Sequence, residues 1–185
     1  MGRLIYTMLA SLDGYIEDPA GSFDWAEPDE EVHRFVNELE RSVGTHLYGR
    51  RMYEVMRAWE TLDQEPGAEP YIVEFAKIWQ GADKVVYSSS LEAPSTAKTR
   101  IERRFDPNSI GALKDASAAD LSIGGPNLAA EAFRVGLVDS VNLFLTPISV
   151  GGGKRALPDD ARVDLELESS RTFGNGMVHV AYRVR

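Results

Sequence analysis

At two places in this chain a short apolar run ends at glycine and passes at once into helical periodicity, and that alternation constrains the fold more than any other feature. Thr45 to Tyr48 stops at Gly49, and the pattern that follows puts Met52, Val55, Met56 and Trp59 on one helical face. Leu121-Ser122-Ile123 stops at Gly124-Gly125, and a helix from Pro126 or Asn127 then turns Leu128, Ala132 and Phe133 inward. A strand can reach a parallel neighbour only by a long return, usually a helix, so strand, glycine and helix in succession is the signature of a parallel sheet.

The rest of the chain extends the pattern. Leu4 to Ala10 reads as a buried first strand ended by Asp13-Gly14, with a loop through Pro19, Gly21 and Pro28. Asp29 opens a helix in which Val32, Phe35, Val36 and Leu39 share a face. Ile72, Phe75, Ala76 and Trp79 mark another helix, Lys84 to Tyr87 a strand ending at Ser88-Ser89-Ser90, and Thr99 to Phe105 a further strand before a short helix from Asn108. Val141, Leu143 and Leu145 alternate with Asn142 and Phe144. The tail alternates over Asp164 to Ser169 and Met177 to Arg185, with the hairpin signal Asn175-Gly176 between. The prediction is one three-layer α/β/α domain over residues 1–185, its sheet mostly parallel and closed by a C-terminal antiparallel hairpin.

Composition narrows the function. The net charge of -9 disfavours nucleic-acid binding, which needs a basic surface to displace counterions. There is no cysteine, hence no disulfide or thiolate chemistry. No run reaches the roughly 20 apolar residues of a membrane span, and the N-terminal run lacks a cleavage signature, so a soluble cytoplasmic protein without a membrane partner is expected. His33, His46 and His179 have no metal-ligand spacing, and no metal is expected. Gly151-Gly152-Gly153-Lys154 is followed by Arg155, not Ser or Thr, so it is not a Walker loop.

The strand ends carry the chemistry. Gly49 with Arg50 and Arg51 at a helix start offers backbone amides and guanidinium forks to phosphate, though solvated arginines are also ordinary there. Ser88 and Ser89 offer hydroxyls at a strand end, where an ordinary turn would also place them. Gly124, Gly125, Pro126, Asn127 and Leu128 form a second glycine-opened helix start that a pyrophosphate could approach closely.

Taken in order, Ser11-Leu12-Asp13-Gly14, Leu47 to Glu54, Val85 to Ser88, Ile123-Gly124-Gly125 and Leu145-Thr146-Pro147 resemble the dihydrofolate reductase-like superfamily, closest to the branch of the riboflavin-biosynthesis reductase (RibD C-terminal) domain. The resemblance implies an NADPH-dependent reductase. It puts Gly49, Arg50 and Arg51 by the adenosine phosphates, Ser88 and Ser89 by the 2′-phosphate, Gly124 to Leu128 along the pyrophosphate, and Ala10 and Ile16 against the nicotinamide. Trp25, Ser11 and Asp13 would face the substrate, a small heterocycle of pterin or pyrimidine type or a carbonyl compound. Glu30 matches the acid that assists protonation and Thr146 the threonine that supports it, while acids at a helix start also follow from the helix dipole alone. Met52 stands where dihydrofolate reductases carry a threonine, and Ala82 where they carry the arginine that captures folate, which argues against classical folate reduction. A binding protein that holds NADPH without turnover would keep the same residues. The tail strands could pair two copies into a homodimer, and a covered edge in a monomer fits them equally.

Overall fold

The computed structural model describes residues 1–185. Ten strands form: β1 (Leu4–Ser11), β2 (Tyr15–Glu17), β3 (Val43–Gly49), β4 (Asp83–Tyr87), β5 (Thr99–Glu102), β6 (Asp120–Gly124), β7 (Ser140–Thr146), β8 (Lys154–Arg155), β9 (Leu165–Thr172) and β10 (Val178–Val184). The five α-helices are α1 (Glu30–Glu40), α2 (Arg50–Met56), α3 (Pro70–Gly81), α4 (Pro107–Ala116) and α5 (Pro126–Arg134). Eight strands make one sheet in the order β5-β4-β3-β6-β1-β7-β10-β9, and β2 and β8 make a separate two-stranded patch. From β5 to β7 every pairing is parallel, and β10 and β9 close the sheet antiparallel, as the alternation predicts.

Both sheet faces are covered. On one, Leu4, Tyr6, Met8, Leu47, Leu121, Ile123 and Val141 pack with Ile110 of α4 and Leu128, Ala129, Ala132 and Phe133 of α5. On the other, Tyr48 and Val86 meet Phe75 and Trp79 of α3, and Phe144 meets Val32 of α1. Burying a large apolar side chain contributes about 1.5–3 kcal/mol, so these layers hold the sheet. Local chemistry sets the helix starts. Asp29 accepts from the Val32 amide at 3.0 Å, Asp106 accepts from Asn108 and Ser109, and proline occupies the first turn of α3, α4 and α5. Lys84, fully buried, donates from Nζ to the carbonyls of Trp79 and Ala82 at 3.2 and 3.0 Å, closing the C-terminus of α3 from inside.

Four local expectations change. In α2 the buried residue is Tyr53, and Val55 is 49% exposed, because the helix ends at Met56 and passes into a tight turn before the expected face is complete. β5 ends at Glu102 rather than running to Phe105. In β7 Phe144 is fully buried while Leu143 and Leu145 are half-buried, since a strand covered on both faces carries no polar alternation to read. The β2–β8 patch pairs Tyr15 with Arg155 inside a stretch that reads as loop in the sequence.

Candidate active site

Strands β4, β3, β6, β1 and β7 run in parallel and end on one side of the sheet, where they place Tyr87, Gly49, Gly124, Ser11 and Thr146. From β3 the chain moves outward to β4 and β5, whereas from β6 it crosses β1 to β7. The winding direction therefore reverses around β3, β6 and β1, and connections leaving in opposite directions open a crevice over the strand ends.

Within that crevice β1 and β6 part company. Their ladder runs only from Leu4↔Leu121 to Tyr6↔Ile123, yet β1 stays paired with β7 as far as Ser11↔Thr146. Backbone groups alternate sides along a strand: the Arg3 carbonyl accepts from Leu121 on the β6 side and the Leu4 carbonyl from Asp139 on the β7 side. The N–H and C=O of Leu9 accordingly point toward the side where β6 has already ended. Ala10 does not share this exposure. Its backbone lies in the β7 ladder, and its buried methyl lines a pocket of about 230 Å³ with Gly14, Leu143, Leu145 and Arg155. The main-chain groups left open in the crevice are thus those of Leu9, a position the sequence reading did not single out. Strand alternation counted from Arg3 is the signal that would have found it.

The glycines beside this gap are required by geometry. A Cβ on Gly124 would meet the Tyr48 ring at 2.8 Å, and Gly125 has φ +94°, where a side chain is strained. Gly125 is the residue before α5, and no side chain caps that helix, so its first amides face the crevice. Asn127 is exposed there and Leu128 is buried in the core. Gly49 stands in the same position before α2, and a Cβ on it would come within 3.9 Å of Leu128, so the two helix starts adjoin. Arg50 pairs with Glu54 at 2.9 Å and Arg51 lies 3.9 Å from Glu17.

At the end of β4 the Ser88 hydroxyl accepts from the Ser90 and Leu91 amides at 3.3 and 2.9 Å, and Ser89 is exposed. Ser11 is fully buried and its Oγ accepts from the Tyr15 amide at 3.0 Å. The Asp13 carboxylate takes the Ser149 hydroxyl and the Val150 and Gly151 amides at 2.9, 3.1 and 2.7 Å. Hydrogen bonding from Ser11 first, then from these partners, holds this carboxyl well below the usual range. Its acceptors are thus turned to the 149–151 loop. Ile16 in β2 packs against the core that contains Tyr6 and Met8. Trp25 is half-buried and spends its indole N–H on the Ser22 carbonyl.

Glu30 and Thr146 are not joined. The Glu30 side chain is 59% exposed and accepts from Arg34 at 2.9 and 2.7 Å, an i,i+4 pair on the outside of α1. Thr146 is buried, and its hydroxyl has no hydrogen-bond partner. A buried hydroxyl left unpaired costs free energy, so Thr146 is a polar atom awaiting a partner at the end of β7. No cluster of three or more His, Cys, Asp or Glu side chains is arranged to hold a metal ion, and no helix is long and apolar enough to cross a membrane.

The sequence profile of the RibD C-terminal domain family matches residues 3–179, nearly the whole chain. The chain belongs to the RibD C-terminal domain family. A relative, the uncharacterized protein YyaP of Bacillus subtilis (strain 168), is 28% identical over 190 residues, covering 97% of this chain and 94% of YyaP. Among solved structures, a pyrimidine reductase-like protein from Corynebacterium diphtheriae superposes with a TM-score of 0.70 at 15% identity, covering all of this chain and 92% of that one. Dihydrofolate reductase from Enterococcus faecalis, complexed with NADP(H), gives 0.64 at 14% identity with 100% and 97% covered. The diaminohydroxyphosphoribosylaminopyrimidine deaminase/5-amino-6-(5-phosphoribosylamino)uracil reductase of Thermotoga maritima gives 0.67 at 17%, and this chain spans 57% of it. These likenesses establish the dihydrofolate reductase-like fold for this member of the RibD C-terminal domain family.

Proposed function

We propose that this protein is an NADPH-dependent reductase that delivers hydride to a small heterocycle of pterin or pyrimidine type, or to a carbonyl compound. The observation that carries the reading is the gap where β1 outruns β6, with the uncapped start of α5 and the glycines Gly124 and Gly125 on its rim. Glycine is required at both positions, because a Cβ on Gly124 would strike the Tyr48 ring and Gly125 has a positive φ, so the chain at the rim stays bare, and the first amides of α5 suit a pyrophosphate. The residues present therefore fit the cofactor.

In this reading Gly49, Arg50 and Arg51 lie by the adenosine phosphates, Ser88 and Ser89 by the 2′-phosphate, and Gly124 to Leu128 along the pyrophosphate. The Leu9 peptide orients the carboxamide, with Ile16 and Ala10 as apolar neighbours, and Thr146, Ser11, Asp13 and Trp25 bound the substrate side. NADPH, when bound, supplies the hydride. The Thr146 hydroxyl orients the substrate, and Glu30 can carry a proton only after its carboxylate leaves Arg34. The fold neighbours, a pyrimidine reductase-like protein, a deaminase/uracil reductase and a dihydrofolate reductase complexed with NADP(H), support the reductase class.

The exposed, Arg34-paired Glu30 favours a second reading, in which the protein binds NADPH without turnover. One experiment separates the two. NADPH is titrated against tryptophan fluorescence, then absorbance of the reduced nicotinamide is followed with dihydropterins, ribosylaminopyrimidines and quinone-like carbonyls. Binding with oxidation by one substrate class supports the reductase, binding without oxidation supports the second reading, and absence of binding overturns both.

A further inference from the structure

Arg103 follows β5 directly and stands beside the end of β4, where the Ser88 amide donates to the Glu102 carbonyl at 2.9 Å. Its Nη1 donates to the carbonyls of Ser88 and Leu91 at 3.1 and 2.6 Å. The same turn is braced from within by the Ser88 hydroxyl, which accepts from the Ser90 and Leu91 amides. The guanidinium is thus fixed by the main chain on both sides of Ser89 and Ser90, the two exposed residues of the turn.

Arg103 combines this fixed position at the strand end with the lack of a carboxylate partner, which Arg57, Arg104 and Arg155 also lack without the two main-chain anchors on the 88–91 turn. Arg50 is paired with Glu54, Arg51 is near Glu17 and Arg100 is near Glu102, but Arg103 has no acidic partner within salt-bridge distance. In a chain of net charge -9, a positioned and unpaired guanidinium at a strand end is the local cation that a phosphate dianion needs. Its Nε and Nη2 remain without protein acceptors, and two N–H groups on one edge of a planar fork match two phosphate oxygens.

We infer that Arg103 is the residue that selects NADPH over NADH, its guanidinium taking the 2′-phosphate beside the Ser89 hydroxyl. This rests on the cofactor reading proposed above. It moves the discriminating charge from the Arg50–Arg51 pair, which the helix start of α2 and two glutamates already engage, to the outer end of the groove.

The test measures dissociation constants of wild type, Arg103→Ala and Arg103→Lys for NADPH, NADH, adenosine 2′,5′-bisphosphate and AMP. The Arg103→Ala change raises the constants for NADPH and the bisphosphate by about tenfold or more, the scale of one charge-assisted hydrogen-bond pair. It leaves NADH and AMP within about twofold, and Arg103→Lys recovers part of the loss because the charge returns without the fork. An equal loss for both cofactors, which a collapsed 88–91 turn would produce, overturns the assignment, as does no loss at all. A wild type that binds NADH as tightly as NADPH overturns this inference alone, whereas a wild type that binds neither overturns the cofactor reading with it.

Discussion

Glu40 Oε2, at the end of α1, lies 3.9 Å from Nδ1 of His46 in β3, and both side chains are buried. Burial pushes the Glu40 carboxyl up to about 7, and burial together with the charge of Lys84 pushes His46 down to about 3, from ordinary values of 4.5 and 6.5. The folded pair is therefore neutral near pH 6, with the proton on Glu40. Glu40 contributes stability below pH 4.5 that is lost as pH rises through 7, and His46 contributes stability above pH 6.5 that is lost as pH falls through 3. Between these limits the two slopes oppose. Stability of the wild type is expected to be nearly flat from pH 4.5 to 6.5 as far as this pair is concerned. The Glu40→Gln variant should gain stability with rising pH and His46→Leu should lose it, each by up to about 1.4 kcal/mol per pH unit. Denaturant midpoints across that range check it, and parallel profiles for all three proteins would refute it.

Thr146 offers a separation of stability from function. Replacing its unpaired buried hydroxyl by a methyl in Thr146→Val is expected to leave the fold unchanged or more stable by about 1 kcal/mol. Turnover of whichever substrate is identified should fall by about tenfold or more if that hydroxyl orients the substrate. Thermal unfolding and steady-state kinetics on the same preparation decide it.

The Asp13 carboxylate receives three hydrogen bonds from Ser149, Val150 and Gly151, and this clamp joins the loop after β1 to the loop after β7. Asp13→Ala should release the Val150 and Gly151 amides into faster hydrogen exchange while the β3 and β6 amides keep their protection. Unchanged exchange at Val150 and Gly151 would show that the loop is held by other contacts.

Gly153 has φ +122°, and a Cβ there would sit 1.9 Å from the Glu17 carbonyl oxygen. The Gly153→Ala substitution must push β8 away from β2, at a cost of about 1–3 kcal/mol. Gly81→Ala, which meets nothing within 4 Å and has an ordinary φ, is the control and should be close to neutral. Equal unfolding midpoints for the two variants would contradict the close approach.

The layers were readable in the sequence because strand and helix periods differ, and Val32, Phe75, Trp79, Leu128 and Phe133 fall inward as their spacing predicts. Legibility failed where local pattern ceased to carry the deciding information. Tyr53 is inside because its hydroxyl reaches Ser95 and Thr96, residues more than 40 positions away, which no helical wheel can reveal. Arg103 lay hidden within a charged stretch read as strand to Phe105, and only the termination of β5 at Glu102 brings it to the groove. Glu30 was recognisable as a helix-start acid, but the direction of its carboxylate depends on Arg34 one turn later. The resemblance names Ala10 and so points to a stretch of chain, whereas the side to which a peptide group points is fixed by parity along β1.

The early termination of β6 beside β1 also determines which tools can detect recognition at this spot. A peptide group is shared by every amino acid, so alanine scanning across Thr7 to Ser11 would alter shapes and leave the hydrogen-bonding pattern of Leu9 intact. An amide-to-ester replacement at the Leu9 nitrogen removes that donor while leaving the side chain unchanged. Recognition written in main chain is also tolerant of drift: side chains on either side can diverge widely as long as the strand keeps its register.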